Sequence, residues 1–555
     1  MKFEESTDII AKILYGSGVR HVIASSGSRS LRMVRSASGH PQLNVRMIVD
    51  ERVAAFSALG ISDCTAQPTA LICTSGTAML NYAPAIAEAY YRGVPMIIIT
   101  ADRPVDIIDL NDGQTIHQFH ALDNIVKMSI DIDATRPCSK NDFDKISDII
   151  SFALSPRKGP IHINLHLEEG NEAMDYQCAD YETEFSRLHI PHSTLSMSSF
   201  QKSEIALKKT LIFLGQMPFD SEMIQLVEHV AGLPNIVVVA DIVSNCNIPN
   251  VITDIESLID HIKAHPDVFN PELVITLGKT SPISRRFKEW LRSIDDYAHW
   301  RVNDKPEPEN TYFHLERTII ADEKTFLKHI ADNADKTNVD IFNRVWMVLN
   351  RKADVIKSNL LAEAPWSDIA AINVIIKQIP DSYTIQCSNG MSIRYLSLTG
   401  ANRHRLYCNR GVNGIDGSTS TAIGYSSVSD TPTLLISGDM SALYDISALY
   451  SGQLSPKFKM IVIANEGGEI FRLTKATRNY EKREEMLCNI PDIKWKDVAK
   501  SVNMDYFEAQ NKKELESVLG AFFIKNDRST LLIIKTSIGN SKIYGNIIKE
   551  INNRL

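Results

Sequence analysis

The apolar residues of this chain form short continuous runs, and amphipathic stretches separate these runs. Over about the first 170 residues, runs of β-favouring residues alternate with helical stretches such as Arg52–Gly60 and Thr77–Tyr91. The runs are apolar along most of their length, as in strands that are covered on both faces. This alternation predicts βαβ units and a mostly parallel sheet. The predicted strands are His21–Ser25, Val45–Val49, Thr69–Thr74, Met96–Ala101 and Ile161–Leu165.

Two further α/β runs follow. Their predicted strands are Thr210–Leu214, Asn235–Ala240 and Leu273–Leu277, then Thr384–Cys387, Thr433–Ser437, Lys459–Ala464 and Thr530–Lys535. Periodicity fades in Glu168–Ser203, which we interpret as a linker, and the polar segment Arg301–Asp322 is interpreted as a boundary region. The pattern predicts an α/β protein of three successive domains with mostly parallel sheets, at residues 1–180, 200–335 and 340–555.

Composition and charge narrow the function classes. Hydrophobic residues make up 44% and charged residues 23% of the chain, which excludes a disordered chain, a collagen-like repeat and a coiled-coil rod. The net charge of −8 shows no basic excess of the kind that nucleic-acid binding requires. A chain of this charge that takes small anionic substrates has to gather positive charge locally.

The targeting and redox signals favour a cytoplasmic protein. The first residues predict an amphipathic helix rather than a signal peptide, and no apolar run is long enough to span a bilayer. Eight scattered cysteines without a CxxC pair favour reduced thiols over a disulfide framework or a zinc site.

Polar residues follow two predicted strands of the third domain. Gly438 and Asp439 come after Thr433–Ser437, and the segment Asn465–Gly468 comes after Lys459–Ala464. Oxygen ligands of this kind suit Mg²⁺ that is shared with a diphosphate. Each segment alone is more often an ordinary turn sequence. Together, with Asp439 and Asn465 26 residues apart, they resemble the thiamine diphosphate-binding motif of thiamine-dependent enzymes, which implies a cation and diphosphate site at the strand ends.

Four arginines stand close to predicted strand ends. Arg29 and Arg103 lie in the first domain, and Arg394 and Arg410 lie in the third. A guanidinium group can bind a carboxylate through two hydrogen bonds. For the two arginines of the third domain, a surface ion pair is the equally open alternative.

Taken in order, these segments resemble the 2-succinyl-5-enolpyruvyl-6-hydroxy-3-cyclohexene-1-carboxylate synthases of menaquinone biosynthesis, a thiamine diphosphate-dependent family. The resemblance extends over most of the chain. Its motifs are Gly27–Ser30, Asp50–Arg52 with Ala54–Phe56, Thr74–Ala78, Thr100–Pro104, Gln114–Ile116, Asn409–Gly411 with Gly414–Gly417, Gly438-Asp439, and Gly467-Gly468 with Ile470-Phe471.

The resemblance implies a thiamine diphosphate-binding fold with an N-terminal pyrimidine-binding domain, a central α/β domain and a C-terminal diphosphate-binding domain. It implies a transferase that decarboxylates 2-oxoglutarate and adds the remaining succinyl-semialdehyde carbanion equivalent to isochorismate. Thiamine diphosphate and Mg²⁺ would be the cofactors, with Mn²⁺ as an alternative metal. The smallest active unit would be a homodimer with active sites at its interface, and a homotetramer is the alternative assembly.

The resemblance also implies roles for single residues. Glu51 would share a proton with the pyrimidine ring of the cofactor, and Ile415 would support its bent shape. The metal ligands would be Asp439, Asn465 and the carbonyl of Gly467. Further cofactor contacts would come from Gly438, Met440, Ser441, Gly468, Ile470 and Phe471.

Two groups of residues would hold the substrates. Arg394 and Arg410 would bind the distal carboxylate of 2-oxoglutarate, and Phe471 would form a wall of the pocket. The residues that would face isochorismate are Ser28, Arg29, Arg103, Gln114 and Arg285, and catalysis would involve Glu51, Gln114, Arg29 and Ser28.

The sequence departs from the family pattern at three positions. Arg285 stands where Lys is frequent, Gly113 where Asn is frequent and Gly390 where Ser is usual. The alternatives are another thiamine diphosphate-dependent 2-oxo-acid decarboxylase or acetohydroxyacid synthase, and a catalytically silent regulator that binds thiamine diphosphate. A generic nucleotide-binding protein is disfavoured because no Walker-type loop or GxGxxG follows a first strand.

Overall fold

A computed structural model describes residues 6–155, 157–168, 205, 208–305, 307–333, 341–400, 403–524 and 527–555. The predicted linker Glu168–Ser203 lies outside the described residues apart from its first residue. The chain divides into two compact units. The first comprises residues 1–193, 409–433 and 444–458, and the second comprises 194–408, 434–443 and 459–555. The three domain boundaries proposed from the sequence stay predictions.

The first unit is built on a six-stranded sheet with the order β2-β1-β3-β4-β6-β5 and parallel pairing. The inner strands β3, β4 and β6 are buried along their whole length. The strands are β1 (His21–Ala24), β2 (Asn44–Met47), β3 (Thr69–Cys73), β4 (Met96–Asp102), β5 (Ser129–Asp133) and β6 (Ile161–His166). The helices are Ser6–Gly16, Leu31–Gly39, Glu51–Thr65, Ala78–Asn81, Ala83–Arg92, Lys140–Leu154 and Ser418–Ser426.

The second unit contains two more six-stranded sheets, with the orders β12-β11-β10-β7-β8-β9 and β14-β13-β15-β16-β18-β17. The strands of the first of these are β7 (Thr210–Leu214), β8 (Ile236–Ala240), β9 (Val251–Ile252), β10 (Leu273–Leu277), β11 (Ala298–Asn303) and β12 (Leu315–Ile320). Those of the second are β13 (Thr384–Cys387), β14 (Leu406–Cys408), β15 (Thr433–Gly438), β16 (Phe458–Ala464), β17 (Asp505–Ala509) and β18 (Thr530–Lys535). The predicted α/β class with parallel sheets is confirmed.

Helices separate the strands of the second unit as the βαβ pattern requires. They are Ser221–Ala231, Ile259–Ala264, Pro266–Phe269, Arg285–Ser293, Glu323–Asn333, Phe342–Glu363, Asp368–Gln378, Met391–Thr399, Asp439–Tyr444, Glu469–Leu473, Trp495–Ser501, Lys512–Phe523 and Ser541–Arg554. In the described ranges, no helix is both long and apolar enough to cross a membrane.

The interpretation of Arg301–Asp322 as a boundary region was wrong. This segment begins within β11 and contains all of β12. β12 is an edge strand, and most of its residues are only partly buried. An edge strand tolerates charged side chains, so its sequence lacks the continuous apolar run that marks the inner strands.

Two helices of the first unit approach each other through small residues. Helix Glu51–Thr65 packs on helix Ser418–Ser426, and a Cβ atom on Gly60 would lie 2.0 Å from the carbonyl oxygen of Thr421. A Cβ atom on Gly424 would lie 2.1 Å from the carbonyl oxygen of Ser57. Both obstacles are backbone atoms, which cannot rotate away. This contact therefore fixes the helix that begins at Glu51.

We expect Gly60→Ala to lower the free energy of unfolding by about 1–3 kcal/mol, because the added methyl group overpacks this contact. Gly520→Ala is the matched control, since nothing lies within 4 Å of a Cβ atom there. Removing a glycine from that helix should instead raise stability by about 0.5–1 kcal/mol. Urea unfolding followed by circular dichroism measures both, and a Gly60→Ala protein as stable as the wild type would contradict the close contact.

Candidate active site

Glu51 is the first residue of its helix, but it does not cap it. The N-cap is Asp50, whose Oδ1 accepts hydrogen bonds from the amides of Arg52 and Val53 at 3.0 and 3.2 Å. The other oxygen of Asp50 accepts from the hydroxyl of Ser447 at 2.8 Å. Because Asp50 performs the capping, the Glu51 carboxyl is available for another role.

The surroundings of Glu51 shift the pKa of its carboxyl group upward. Burial raises the pKa of the Glu51 carboxyl, a hydrogen bond from its own backbone amide lowers it, and the charge of Asp50 raises it again, with a net upward shift. The buried thiol of Cys73 and phenol of Tyr82 lie close enough to interact electrostatically with Glu51. A carboxyl group with a raised pKa can hold a proton and donate it to a ring nitrogen.

The Asp439 carboxylate, at the end of β15, accepts hydrogen bonds from the loop that follows β16. Its Oδ2 accepts from the amides of Asn465 and Gly467 at 3.1 and 3.2 Å, and its Oδ1 accepts from Met440 at 2.7 Å. Burial raises the pKa of Asp439 to about 6, against the opposing effect of these amides. Gly467 has φ of 123°, and a Cβ atom there would lie 1.6 Å from the carbonyl oxygen of Cys488. The loop conformation therefore requires glycine at this position.

Asn465 carries an unsatisfied oxygen beside Asp439. Its Nδ2 donates to Asp368 at 2.8 Å, whereas its buried Oδ1 has no hydrogen-bond partner among the described residues. Buried polar atoms are normally paired, and a bound ion or water is one explanation of an exception. A carboxylate and an orphaned amide oxygen next to a tight glycine loop fit Mg²⁺ with a diphosphate, since Mg²⁺ takes few protein oxygens and completes its shell with phosphate and water.

Two cavities of the second unit are lined by predicted site residues. One of about 670 Å³ has Asp439, Glu466 and Arg472 in its lining. The other, of about 610 Å³, brings Arg285, Arg394 and Ile470 together. Its wall also carries Arg286, Lys475 and Arg478, together with Asp241, Asp254, Glu256 and Glu289. Five cationic side chains therefore share this wall with four acidic ones, and Arg285 and Arg286 pair with Glu289 and Glu256.

The two arginines expected in this second cavity differ in their surroundings. Arg285 is exposed and pairs with Glu289 at 2.7 Å on the next turn of its helix. Arg394 is half-buried, and its guanidinium donates to the carbonyl of Gly390 one turn earlier. Arg394 is therefore directed by the backbone, whereas Arg285 is directed by a surface ion pair, which contributes little rigidity.

In the first unit, Arg29 and Arg103 are held by protein groups. Arg29 is buried, and its Nη1 donates to the carbonyl of Leu167 at 2.9 Å. Arg103 donates to the carbonyl of Gly113 at 2.7 Å and pairs with Asp112 at 3.2 Å. An anionic substrate at Arg103 would compete with Asp112 for the guanidinium group.

The structure divides the predicted site residues between the two units. The first unit contains Ser28, Arg29, Glu51, Arg103, Gln114, Arg410 and Ile415. The second contains Arg285, Arg394, Gly438, Asp439, Met440, Ser441, Asn465, Gly467, Gly468, Ile470 and Phe471. Ser28 and Gln114 are exposed on loops of the first unit, and Arg410 is buried.

Sequence reasoning missed the buried residues that hold these loops. Gln118 accepts from the amide of Gly76 at 2.7 Å, and it donates to the carbonyl of Ala101 at 3.1 Å and to Asn164 at 3.0 Å. Glu88 accepts from the two amides that follow Arg410, at 2.8 and 2.9 Å. The available signal was polarity at buried positions, such as His162, Asn164 and His166, which alternate along β6.

His166 supports the backbone of Arg103. Its Nδ1 lies 2.5 Å from the carbonyl oxygen of Arg103, and its Nε2 lies 3.0 Å from Oδ2 of Asp131. Burial lowers the pKa of His166, but the bonds to Asp131 and to the Arg103 carbonyl outweigh it and raise the pKa to about 9. The histidine is therefore charged at neutral pH and donates from both ring nitrogens.

Comparison with known proteins identifies the class and then the family. A model of the thiamine pyrophosphate enzyme N-terminal TPP binding domain matches residues 5–128, so the chain is a thiamine diphosphate-dependent enzyme. It is 32% identical to the 2-succinyl-5-enolpyruvyl-6-hydroxy-3-cyclohexene-1-carboxylate synthase of Porphyromonas gingivalis, over 96% of this chain and 94% of that protein. The synthases of Flavobacterium psychrophilum and Flavobacterium johnsoniae are 32% and 31% identical, over 95% and 98% of both chains. The chain belongs to this synthase family, which confirms the predicted resemblance.

The His166–Asp131 pair predicts a pH-dependent stability. The folded pKa of His166 is raised from 6.5 to about 9, so the stabilisation is complete below pH 6.5 and is lost as the pH rises through 9. We expect Asp131→Asn to cost about 2 kcal/mol at pH 6 and clearly less at pH 10. Urea midpoints at the two pH values measure this, with the exposed Asp148→Asn as control. An equal cost at both pH values would contradict the charged pair.

Proposed function

We propose that this chain decarboxylates 2-oxoglutarate and adds the remaining four-carbon unit to isochorismate, which yields the product named in its family and carbon dioxide. The observation that carries the proposal is the cavity that brings Arg394, Arg285 and Ile470 together in a member of this family. Arg394 contributes a guanidinium group to this wall, and a guanidinium group can bind a carboxylate through two hydrogen bonds.

Thiamine diphosphate, when bound, supplies the electron sink for decarboxylation. The protein would contribute a proton for the cofactor, side chains that position it, and ligands for the metal ion. Glu51 would hold a proton on its carboxyl group for the pyrimidine ring, and Ile415 would support the bound cofactor, as the family resemblance implies. Asp439, Asn465 and the Gly467 carbonyl would hold Mg²⁺, with Mn²⁺ as an alternative, beside the diphosphate.

The substrates would be aligned by hydrogen bonds to their carboxylates. Arg394 and Arg410 would bind the distal carboxylate of 2-oxoglutarate, next to Phe471. The group that would face isochorismate consists of Ser28, Arg29, Arg103, Gln114 and Arg285. When both anions are held side by side, they react within one complex rather than as separate molecules in solution, which lowers the entropic part of the barrier.

We further propose a homodimer with active sites at the interface between the chains, as the family resemblance implies. A homotetramer would contain the same dimer twice. Sedimentation equilibrium across a range of protein concentrations measures the assembly, and an active monomer would contradict the proposal.

The assay that tests the reaction combines the protein with thiamine diphosphate, Mg²⁺, 2-oxoglutarate and isochorismate. We expect carbon dioxide and the succinylated product in equal amounts. Faster release of carbon dioxide from pyruvate would instead favour another 2-oxo-acid decarboxylase.

Glu51→Gln should lower kcat by about 10²- to 10⁴-fold, because a glutamine cannot exchange the proton. Binding of thiamine diphosphate, followed by fluorescence quenching, should remain close to that of the wild type. Glu228→Gln, at an exposed helical position, is the matched control and should leave kcat unchanged. Turnover by Glu51→Gln at the wild-type rate would exclude the proton-sharing role.

Arg394→Lys keeps the positive charge but loses the guanidinium fork. We expect it to reduce kcat/KM for 2-oxoglutarate by about 10- to 100-fold, equivalent to one charge-assisted hydrogen bond. The exposed Arg351→Lys on helix Phe342–Glu363 serves as control. An unchanged kcat/KM in Arg394→Lys would remove Arg394 from the substrate site.

A further inference from the structure

Asp368 is a fully buried carboxylate that no motif of the sequence singled out. Its Oδ2 accepts from Oη of Tyr395 at 3.1 Å and from Nδ2 of Asn465 at 2.8 Å. Its Oδ1 accepts from Oγ1 of Thr536 at 2.5 Å and from Nδ2 of Asn540 at 2.9 Å. Four donors thus satisfy both oxygens of one buried charge.

The bond from Asn465 to Asp368 decides which end of the Asn465 amide points away from Asp368. Oδ2 of Asp368 accepts this bond, so it takes the NH₂ end of the Asn465 amide. Oδ1 of Asn465 is then directed elsewhere, and this is the buried oxygen without a partner. With the amide reversed, an NH₂ group would occupy that position and could not ligate a cation.

We propose that Asp368 is a positioning residue, which holds the Asn465 side chain so that its oxygen is presented to the divalent cation. This inference rests on the proposed metal role of Asp439 and Asn465. The two oxygens of Asp368 bind different parts of the protein. Oδ1 joins the helix that begins at Asp368 to the segment after β18, and Oδ2 orients the ligand.

The neighbours of Asp368 make the effect of a substitution predictable. Asn540 cannot reverse its own amide, because its Oδ1 accepts from the backbone amide of Asp368 at 3.0 Å and its Nδ2 donates to Ser537 at 2.6 Å. In Asp368→Asn, the remaining oxygen must therefore stay on the side of Asn540. The new NH₂ group then faces Asn465 and forces its amide to reverse.

The test measures the affinity for Mn²⁺ in the presence of thiamine diphosphate, by electron paramagnetic resonance of the free ion. Asp368→Asn should weaken Mn²⁺ binding by about 10- to 100-fold, as expected when the partner of a metal ligand is removed. Tyr395→Phe is the matched control, because it removes the other donor to the same oxygen and leaves Asn465 oriented. Mn²⁺ affinity of Asp368→Asn within threefold of the wild type, or an equal loss in Tyr395→Phe, would overturn the proposal.

A double variant distinguishes a changed orientation of the side chain at position 465 from a general disturbance of the fold. In Asp368→Asn with Asn465→Asp, the new NH₂ group donates to the new carboxylate, and an oxygen faces the cation again. We expect this protein to recover Mn²⁺ affinity to within about tenfold of the wild type, whereas Asn465→Asp alone, with two opposed carboxylates, should not. A folded double variant with no recovery would contradict the orienting role.

Asp439→Asn separates a failure of the proposed metal site from a failure of the role of Asp368. If Asp439→Asn binds Mn²⁺ like the wild type, the proposed metal site is wrong. If Mn²⁺ affinity falls in Asp439→Asn but not in Asp368→Asn, only the role of Asp368 is wrong.

If Asp368→Asn does not fold, hydrogen exchange in the wild-type protein tests the inference. The signals to follow are the side-chain amide protons of Asn465, which are assigned by their disappearance in Asn465→Asp. They should exchange slowly with solvent, with and without Mg²⁺ and thiamine diphosphate, and exchange as fast as in an exposed asparagine would overturn the inference.

Discussion

A carboxylate removed from water has to find hydrogen-bond donors inside the protein, and in this molecule the donors belong to the loops that follow the strands. Glu88 binds the backbone after Arg410, Asp439 binds the loop of Gly467, and Asp368 binds the side chain of Asn465. Leaving such a charge unpaired would be costly, so each loop is confined to one arrangement. The positions of the functional groups depend on these bonds.

The arginines Arg29 and Arg103 are likewise held by hydrogen bonds to protein groups. A chain with a net charge of −8 keeps its cationic side chains in place by pairing them with backbone carbonyls and nearby acids. Arg29 is held by the carbonyl of Leu167, and Arg103 is shared between Gly113 and Asp112. Protein groups therefore orient both guanidinium groups. The local charge of the site is independent of the overall charge.

Close helix packing connects the fold to Glu51. The backbone of helix Glu51–Thr65 lies against helix Ser418–Ser426 because glycine stands at both contact points. This contact holds the beginning of the helix near Cys73 and Tyr82, whose burial accompanies the raised pKa of Glu51. The raised pKa of Glu51 is thus a property of the packing around it rather than of its place in the sequence.

The sequence alone determined the α/β class, the apolar inner strands and the segments that follow them, because these are local patterns of hydrophobicity and turn residues. It also predicted Asp439 and Asn465 as neighbours, since the ends of parallel strands share one edge. It missed β11 and five strands at sheet edges, which are β5, β9, β12, β14 and β17. It also gave no sign of Asp368, Glu88 or Gln118. Those residues act through partners distant in the chain, as with Asp368 and Asn540, and only the tertiary structure brings such groups within hydrogen-bond distance.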